Sequence, residues 1–357
     1  MYYHFRNRTI ILFVLLVLLV LLCIYLELIY YSGNYTSKII PLYGNCPADI
    51  PPYPNYRYFY KNADNREKEC NHIQLQRSST TERECPDLFI IGARKGGTTS
   101  LYQYISQHRG FMGQGLDKNA SAGEIHYFSF TFLERSWKDY IDKFSAQRGK
   151  KTGESSVSYL TSCMAPYRLR ALCGTKPIIV VLLREPVGRM LSTYVMRYHI
   201  QANKKESLAE YVNEGVKRDI SRWKYLLEEE KILASQLLNQ SSFCLFKPAR
   251  SQIYEGLYSL HLNRWFKYFP RENFLIWRSD EFKDNTSYFL SELIAKLGLQ
   301  EMNEDELNKI TSVYYNSIEY NSTGLARRED MEYLKELYTP FNQQLTDMMA
   351  GGYSWQN

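Results

Sequence analysis

Three unbroken apolar runs, each followed by helical spacing, set the pattern of this chain. Leu88-Phe89-Ile90-Ile91 follows Asp87 and is closed by Gly92, after which Leu101, Tyr104 and Ile105 recur at helical intervals. Ile178 to Leu183 is continuously apolar, as befits a strand buried on both faces, and ends at Arg184-Glu185-Pro186, where proline favours a first helical turn. Phe274 to Trp277 forms a third such run. It lies between helical patterns carrying Leu262, Trp265, Phe266 and Phe269 before it and Leu290, Leu293, Ile294 and Leu297 after it, with Gly298 as a stop. Near the end, Thr339-Pro340 reads as the start of a last helix holding Phe341, Leu345 and Met348. Strands alternating with helices predict an α/β fold, a P-loop-like parallel sheet flanked by helices.

Ahead of this alternation the pattern changes twice. Residues 10–31 are apolar except for Glu27, long enough to cross a bilayer, and Arg6 and Arg8 precede them, so the positive-inside bias puts the N-terminus in the cytosol. The segment 32–86 is rich in proline and tyrosine without a sustained period and reads as a stem. The expected organisation is a cytosolic tail 1–9, a retained transmembrane signal-anchor 10–31, a lumenal stem 32–86 and a catalytic domain 87–357. The charged helical stretch from Asn203 to Leu238 carries seven basic and seven acidic residues, so it is expected to be a solvated insertion and not a polyanion groove.

Composition agrees with that orientation. Beyond the span the chain has six cysteines, Cys46, Cys70, Cys85, Cys163, Cys173 and Cys244, an even number suited to an oxidising compartment, with their pairing open. Sequons begin at Asn34, Asn119, Asn239, Asn285 and Asn321, all on the lumenal side. With no Cys-x-x-Cys, a zinc site has little support. Net charge is only +6, which permits an anionic partner without demanding nucleic acid, and none is expected.

The chemistry concentrates in two segments. Gly92-Ala93-Arg94-Lys95-Gly96-Gly97-Thr98-Thr99-Ser100 joins a predicted strand to a helix, so glycine-turn N–H groups, a helix N-terminus and Lys95 converge where a phosphate can sit. It is not a Walker A sequence, because Thr98 stands where that motif has its lysine. The second segment runs from Val181 to Tyr194. There Arg184 leaves a strand end and Ser192 follows two turns into a helix, a guanidinium and a hydroxyl able to hold a second phosphate. Two phosphate-competent sites beyond the carboxyl ends of strands suit a nucleotide ligand.

These segments resemble the Golgi carbohydrate sulfotransferases that use 3′-phosphoadenosine-5′-phosphosulfate (PAPS), particularly the heparan sulfate N- and 3-O-sulfotransferase type. Gly92 to Ser100 looks like the family's 5′-phosphosulfate loop and Leu183 to Tyr194 like its 3′-phosphate loop. Glu124-Ile125-His126-Tyr127-Phe128 is similar to the family's Glu-x-His-Phe-Phe segment, and Gly153 to Tyr159, Gly256 to Trp265 and Tyr338 to Trp355 follow in order. The resemblance implies that Glu124 is the base, with Lys95 on the leaving phosphate and His126 orienting the acceptor or sharing the proton work. It also implies that Arg94, Lys95, Gly96, Gly97, Thr98, Thr99, Ser100, Arg184 and Ser192 bind PAPS without a metal. It further implies transfer of the sulfuryl group to a hydroxyl, with an amine as the second choice, of a glycan or glycosaminoglycan-like polysaccharide, and a Golgi membrane location with the catalytic domain in the lumen. Two departures stand out. Ser155 replaces a lysine of the heparan sulfate enzymes, and the cysteine-flanked loop that covers the nucleotide has no clear counterpart, leaving Arg327 or Arg328 as the cations of that region. The competing expectations are a phosphoryl-transferring kinase and a non-catalytic glycan-binding protein on the same fold, with protein tyrosine as an alternative acceptor.

Overall fold

The apolar runs form the centre of a parallel sheet. Leu88–Gly92 is β1, buried along its whole length, and Ile178–Leu183 is β4, buried from its second residue on. Phe274–Arg278 is β5, and two short strands, Phe111–Gly113 (β2) and Lys151–Glu154 (β3), complete the order β2-β3-β1-β4-β5, every pairing parallel. The protein is described by a computed structural model over residues 63–78, 85–113, 123–144, 149–201, 205–229, 237–238, 251–313, 315, 318, 320–350 and 355. Among the described residues no helix is long and apolar enough to cross a membrane, and the run 10–31 expected to do so lies outside them.

Alternate residues of each strand face opposite sides, so the sheet has two cores. Phe89, Ile91, Ile179, Val181 and Leu183 pack with Tyr127, Phe128, Tyr159 and Trp265 on one face. Leu88, Ile90, Val180 and Leu182 meet the helices Thr98–Ile105 (α2) and Thr286–Lys296 (α10) on the other through Leu101, Ile105, Leu290 and Leu293. β2 and β3 escape a reading by hydrophobicity because Lys-Thr-Gly-Glu has no apolar run. Pairing decides them: Asp87 receives the Thr152 N–H at 2.9 Å and the Lys151 ammonium at 2.8 Å. At Gly153 a Cβ would lie 2.8 Å from Leu88, so only glycine lets the two backbones approach.

Three expectations change. Ala63–Ser78, inside the segment read as a stem, is a helix (α1) whose Ile73 is fully buried in the first core, and its Glu69 pairs with Arg168 of α4 (Ala165–Cys173) at 2.5 Å. The stretch read as solvated contains α6 (Leu208–Glu229), whose Val212, Val216, Ile220 and Trp223 are buried at helical spacing against α5 (Pro186–Ile200). Balanced charges on the outer face masked that stripe. Last, the final helix begins at Arg328, not at Thr339, and runs through Pro340 to Met348 (α12). An interior proline costs about 3 kcal/mol, but Leu334, Tyr338, Phe341 and Leu345 line one buried face on both sides of it, and that packing outweighs the lost hydrogen bond.

Of the cysteines, Cys85 and Cys173 are joined across 88 residues, and Cys70 and Cys163 are each disulfide-bonded as well. The connections matter for function. The chain leaving β1 departs past β3 to reach β2, whereas the chain leaving its other neighbour, β4, departs the opposite way to reach β5. Adjacent strands whose connections depart in opposite directions open a crevice at their carboxyl ends.

Candidate active site

The loop after β1 fills one wall of that crevice. Ala93 N–H donates to Leu182 O at 2.8 Å and Gly96 N–H to Ala93 O at 2.9 Å, folding Ala93–Gly97 into a tight turn against β4. Gly96 is obligatory there, since a Cβ would stand 2.3 Å from the Leu182 carbonyl oxygen. Gly97, at φ +100°, caps α2 without a side chain, so the N–H groups of Thr98, Thr99 and Ser100 meet no capping oxygen from it. The next helix behaves oppositely: Glu185 caps α5 by accepting from Val187 and Gly188 N–H, closing that terminus to an outside anion. Of these two helix starts, the one at Gly97 is open to a phosphate.

Cations gather at the open end. Burial first, then the charges of Arg184 and Arg94, hold the Lys95 ammonium below the usual lysine range. Three cations within each other's field, one of them half-desolvated, is an arrangement that a polyanion relieves. Arg184 extends from the end of β4, its guanidinium donating to the Tyr320 hydroxyl at 3.3 Å while its carbonyl accepts from Tyr258 at 2.8 Å. Ser192 is buried in α5, two turns on. Arg94 lies 3.4 Å from Glu255, which also pairs with fully buried Arg189 of α5 at 3.0 Å, so one carboxylate ties the first phosphate loop to the second. The Ser100 hydroxyl donates to Tyr315 O at 3.2 Å. Arg327 and Arg328 are occupied at the start of α12, by Asp330 and Glu329 at 2.8 Å each and by Glu332 at 2.7 Å, and the contact to Arg184 from this region comes from Tyr320.

On the other side of the crevice, Glu124 and His126 face each other, Oε2 to Nε2, at 3.3 Å, with both side chains partly exposed. His126 has φ +58° and caps a short π-helix, Tyr127–Thr131. Its other ring nitrogen is 2.7 Å from the Ser158 hydroxyl, itself 2.7 Å from Ser129. Beneath this pair, Ser156 Oγ accepts from the N–H groups of Ile125 and His126 at 3.0 Å each and donates to Glu154 at 2.5 Å. Glu154, fully buried, also receives Tyr140 at 2.6 Å and Tyr159 at 3.0 Å. Burial pushes its carboxyl up to about 7, against the pull of these hydroxyl donors and of His126. The two walls meet in a small cavity lined by Ala93, Arg94 and Glu255 from one side and by Ser158 and Phe130 from the other.

Residues 85–324 match the sulfotransferase domain family. The chain belongs to the sulfotransferases. Over 301 residues this sulfotransferase is 24% identical to heparan sulfate glucosamine 3-O-sulfotransferase 3B1 of Mus musculus, covering 78% of this chain and 67% of that one. It is 26% identical over 321 residues to carbohydrate sulfotransferase 15 of Mus musculus, covering 76% of this chain and 54% of that one. A crystal structure of a sulfotransferase from Alicyclobacillus acidocaldarius superposes with a TM-score of 0.52 at 21% identity, over 74% of this chain and 96% of that one, which is a likeness of fold. The family is one of PAPS-dependent enzymes, so the kinase reading is set aside, and the open helix start with its cations suits the anionic donor.

The sulfotransferase brings Arg94, Lys95 and Arg184 into one field, and it pairs Glu124 with His126, a contact the sequence reading did not anticipate. Glu154, Ser158, Glu255 and Tyr320 were missed as site residues. A cluster of serines in Ser155-Ser156-Val157-Ser158 was the available signal for Ser158. No local pattern marks Glu255 or Tyr320, which reach the site from 66 and 136 residues away.

Proposed function

We propose that the protein transfers a sulfuryl group from PAPS to a hydroxyl of a glycan, in the Golgi lumen, as a single-pass type II membrane protein anchored by residues 10–31. The carrying observation is the Glu124–His126 pair at 3.3 Å, held by Ser156 and Ser158 across the crevice from the Lys95 loop. Glu124 accepts the hydroxyl proton as the acceptor oxygen bonds to sulfur, and His126 orients that carboxylate. Lys95 and the N–H groups of Gly97 to Ser100 neutralise the charge left on the 5′-phosphate as the sulfur–oxygen bond breaks, and Arg184 with Ser192 holds the 3′-phosphate. A glycosaminoglycan-like acceptor is supported by the relatives' names and by a pocket of about 350 Å³ beside Ile125, rimmed by Arg135 and Lys143 together with Asp139. Within this reading the stem ends before α1, and the catalytic body includes that helix.

The test uses the full chain in detergent with radiolabelled PAPS and a panel of desulfated glycans. Label is expected on a glycan oxygen, with none transferred from ATP. Glu124→Gln is expected to abolish transfer while adenosine 3′,5′-bisphosphate still binds. Transfer surviving in Glu124→Gln would overturn the assignment of the base.

A further inference from the structure

Phe130 is a large aromatic left 56% exposed at the mouth of the crevice. Burial would normally claim such a ring, since a Phe side chain gains about 1.5–3 kcal/mol by leaving water. Among the described residues it is the exposed large apolar side chain that lines the cavity shared by Arg94 and Ser158. Its position is set by the catalytic segment itself. Phe130 N–H donates to His126 O at 3.0 Å, and the two rings lie 5.3 Å apart, tilted by 46°. The ring is therefore a surface fixed to the same turn that carries the acid–base pair.

We propose that Phe130 is the platform on which one pyranose ring of the acceptor stacks, an inference that rests on the glycan reading above. A pyranose offers an apolar face of C–H groups, while its equatorial hydroxyls project in the plane of the ring. Stacking the face on Phe130 leaves those hydroxyls pointing sideways, where Glu124 and His126 stand. The subsite reads the sugar by its face and not by charge. Arg94, the cation of this cavity, shares Glu255 with Arg189 and belongs to the donor loop beside Lys95, and residue 155 is a serine. Anionic groups of the acceptor are then bound elsewhere along the chain.

Steady-state kinetics of Phe130→Ala and Phe130→Trp, with PAPS and the best glycan of the panel, test this. Loss of an aromatic stack is expected to raise the acceptor KM of Phe130→Ala about 3- to 10-fold, with the PAPS KM within twofold of the parent. Phe130→Trp is expected to hold or lower the acceptor KM, and its added tryptophan emission to shift when glycan binds in the presence of adenosine 3′,5′-bisphosphate. Because the ring is exposed, both variants are expected to fold, as checked by circular dichroism. An unchanged acceptor KM in Phe130→Ala while the parent sulfates glycan overturns the platform alone. A parent that labels no glycan, or that labels a tyrosyl peptide instead, overturns the glycan reading and the pyranose assignment with it.

Discussion

Glutamine at position 154 removes one carboxyl from the base of the site while keeping its shape. In the folded protein that carboxyl is held up at about 7 against an ordinary value of 4.5. Between those values the native state keeps a proton that the unfolded chain has released, so stability falls as pH rises and levels off above 7. The gap corresponds to about 3 kcal/mol at 1.36 kcal/mol per pH unit. Urea unfolding of the oxidised protein at intervals from pH 4.5 to 7.5 measures it. The parent is expected to lose about 3 kcal/mol more than Glu154→Gln across that window, because the substitution removes this carboxyl's titration. Parallel curves would refute the reasoning, showing that the network of Tyr140, Tyr159 and Ser156 already compensates the buried charge. Transfer supplies a second readout. Glutamine sets an NH2 group where one carboxylate oxygen accepted from Ser156 or from Tyr140 and Tyr159, so the anchor under Ile125 and His126 must rearrange. Turnover is expected to slow about 10- to 100-fold, the scale of a small misplacement of reacting groups.

Lys95→Ala and Arg184→Ala are expected to separate the two ends of the donor. The first lowers kcat about 10²- to 10³-fold, as for loss of a group that meets developing charge, and the second raises the PAPS KM about 10- to 100-fold, the worth of a charged hydrogen bond. Initial rates over a PAPS series decide, and equal effects on kcat in both variants would contradict the division. Opening the Cys85–Cys173 link, which spans 88 residues, with Cys85→Ser is expected to cost about 4–5 kcal/mol in the chain-entropy account, read by urea unfolding without reductant.

The strands β1, β4 and β5 and the glycine loop after β1 were legible in the sequence because each depends on neighbours along the chain: an unbroken apolar run, then residues that turn without a side chain. Lys95 and Arg184 stood out in the sequence as cations at strand ends, whereas Glu124 and His126 entered only through the resemblance of their motif, and the roles given to all four are proposals. Tertiary structure decided the rest. β3 is a strand because Asp87 and Leu88 pair with it, and Lys-Thr-Gly-Glu carries no such instruction alone. α6 is half buried, and α12 continues past Pro340, because packing against α5 and its neighbours exceeds what charge balance and local propensity suggest. The Glu255 bridge between Arg94 and Arg189, the Tyr320 contact to Arg184 and the Glu154 network under the Glu124–His126 turn join residues distant in the chain. Local composition specifies which groups can bind and react; only burial and long-range pairing determine which of them share one electric field.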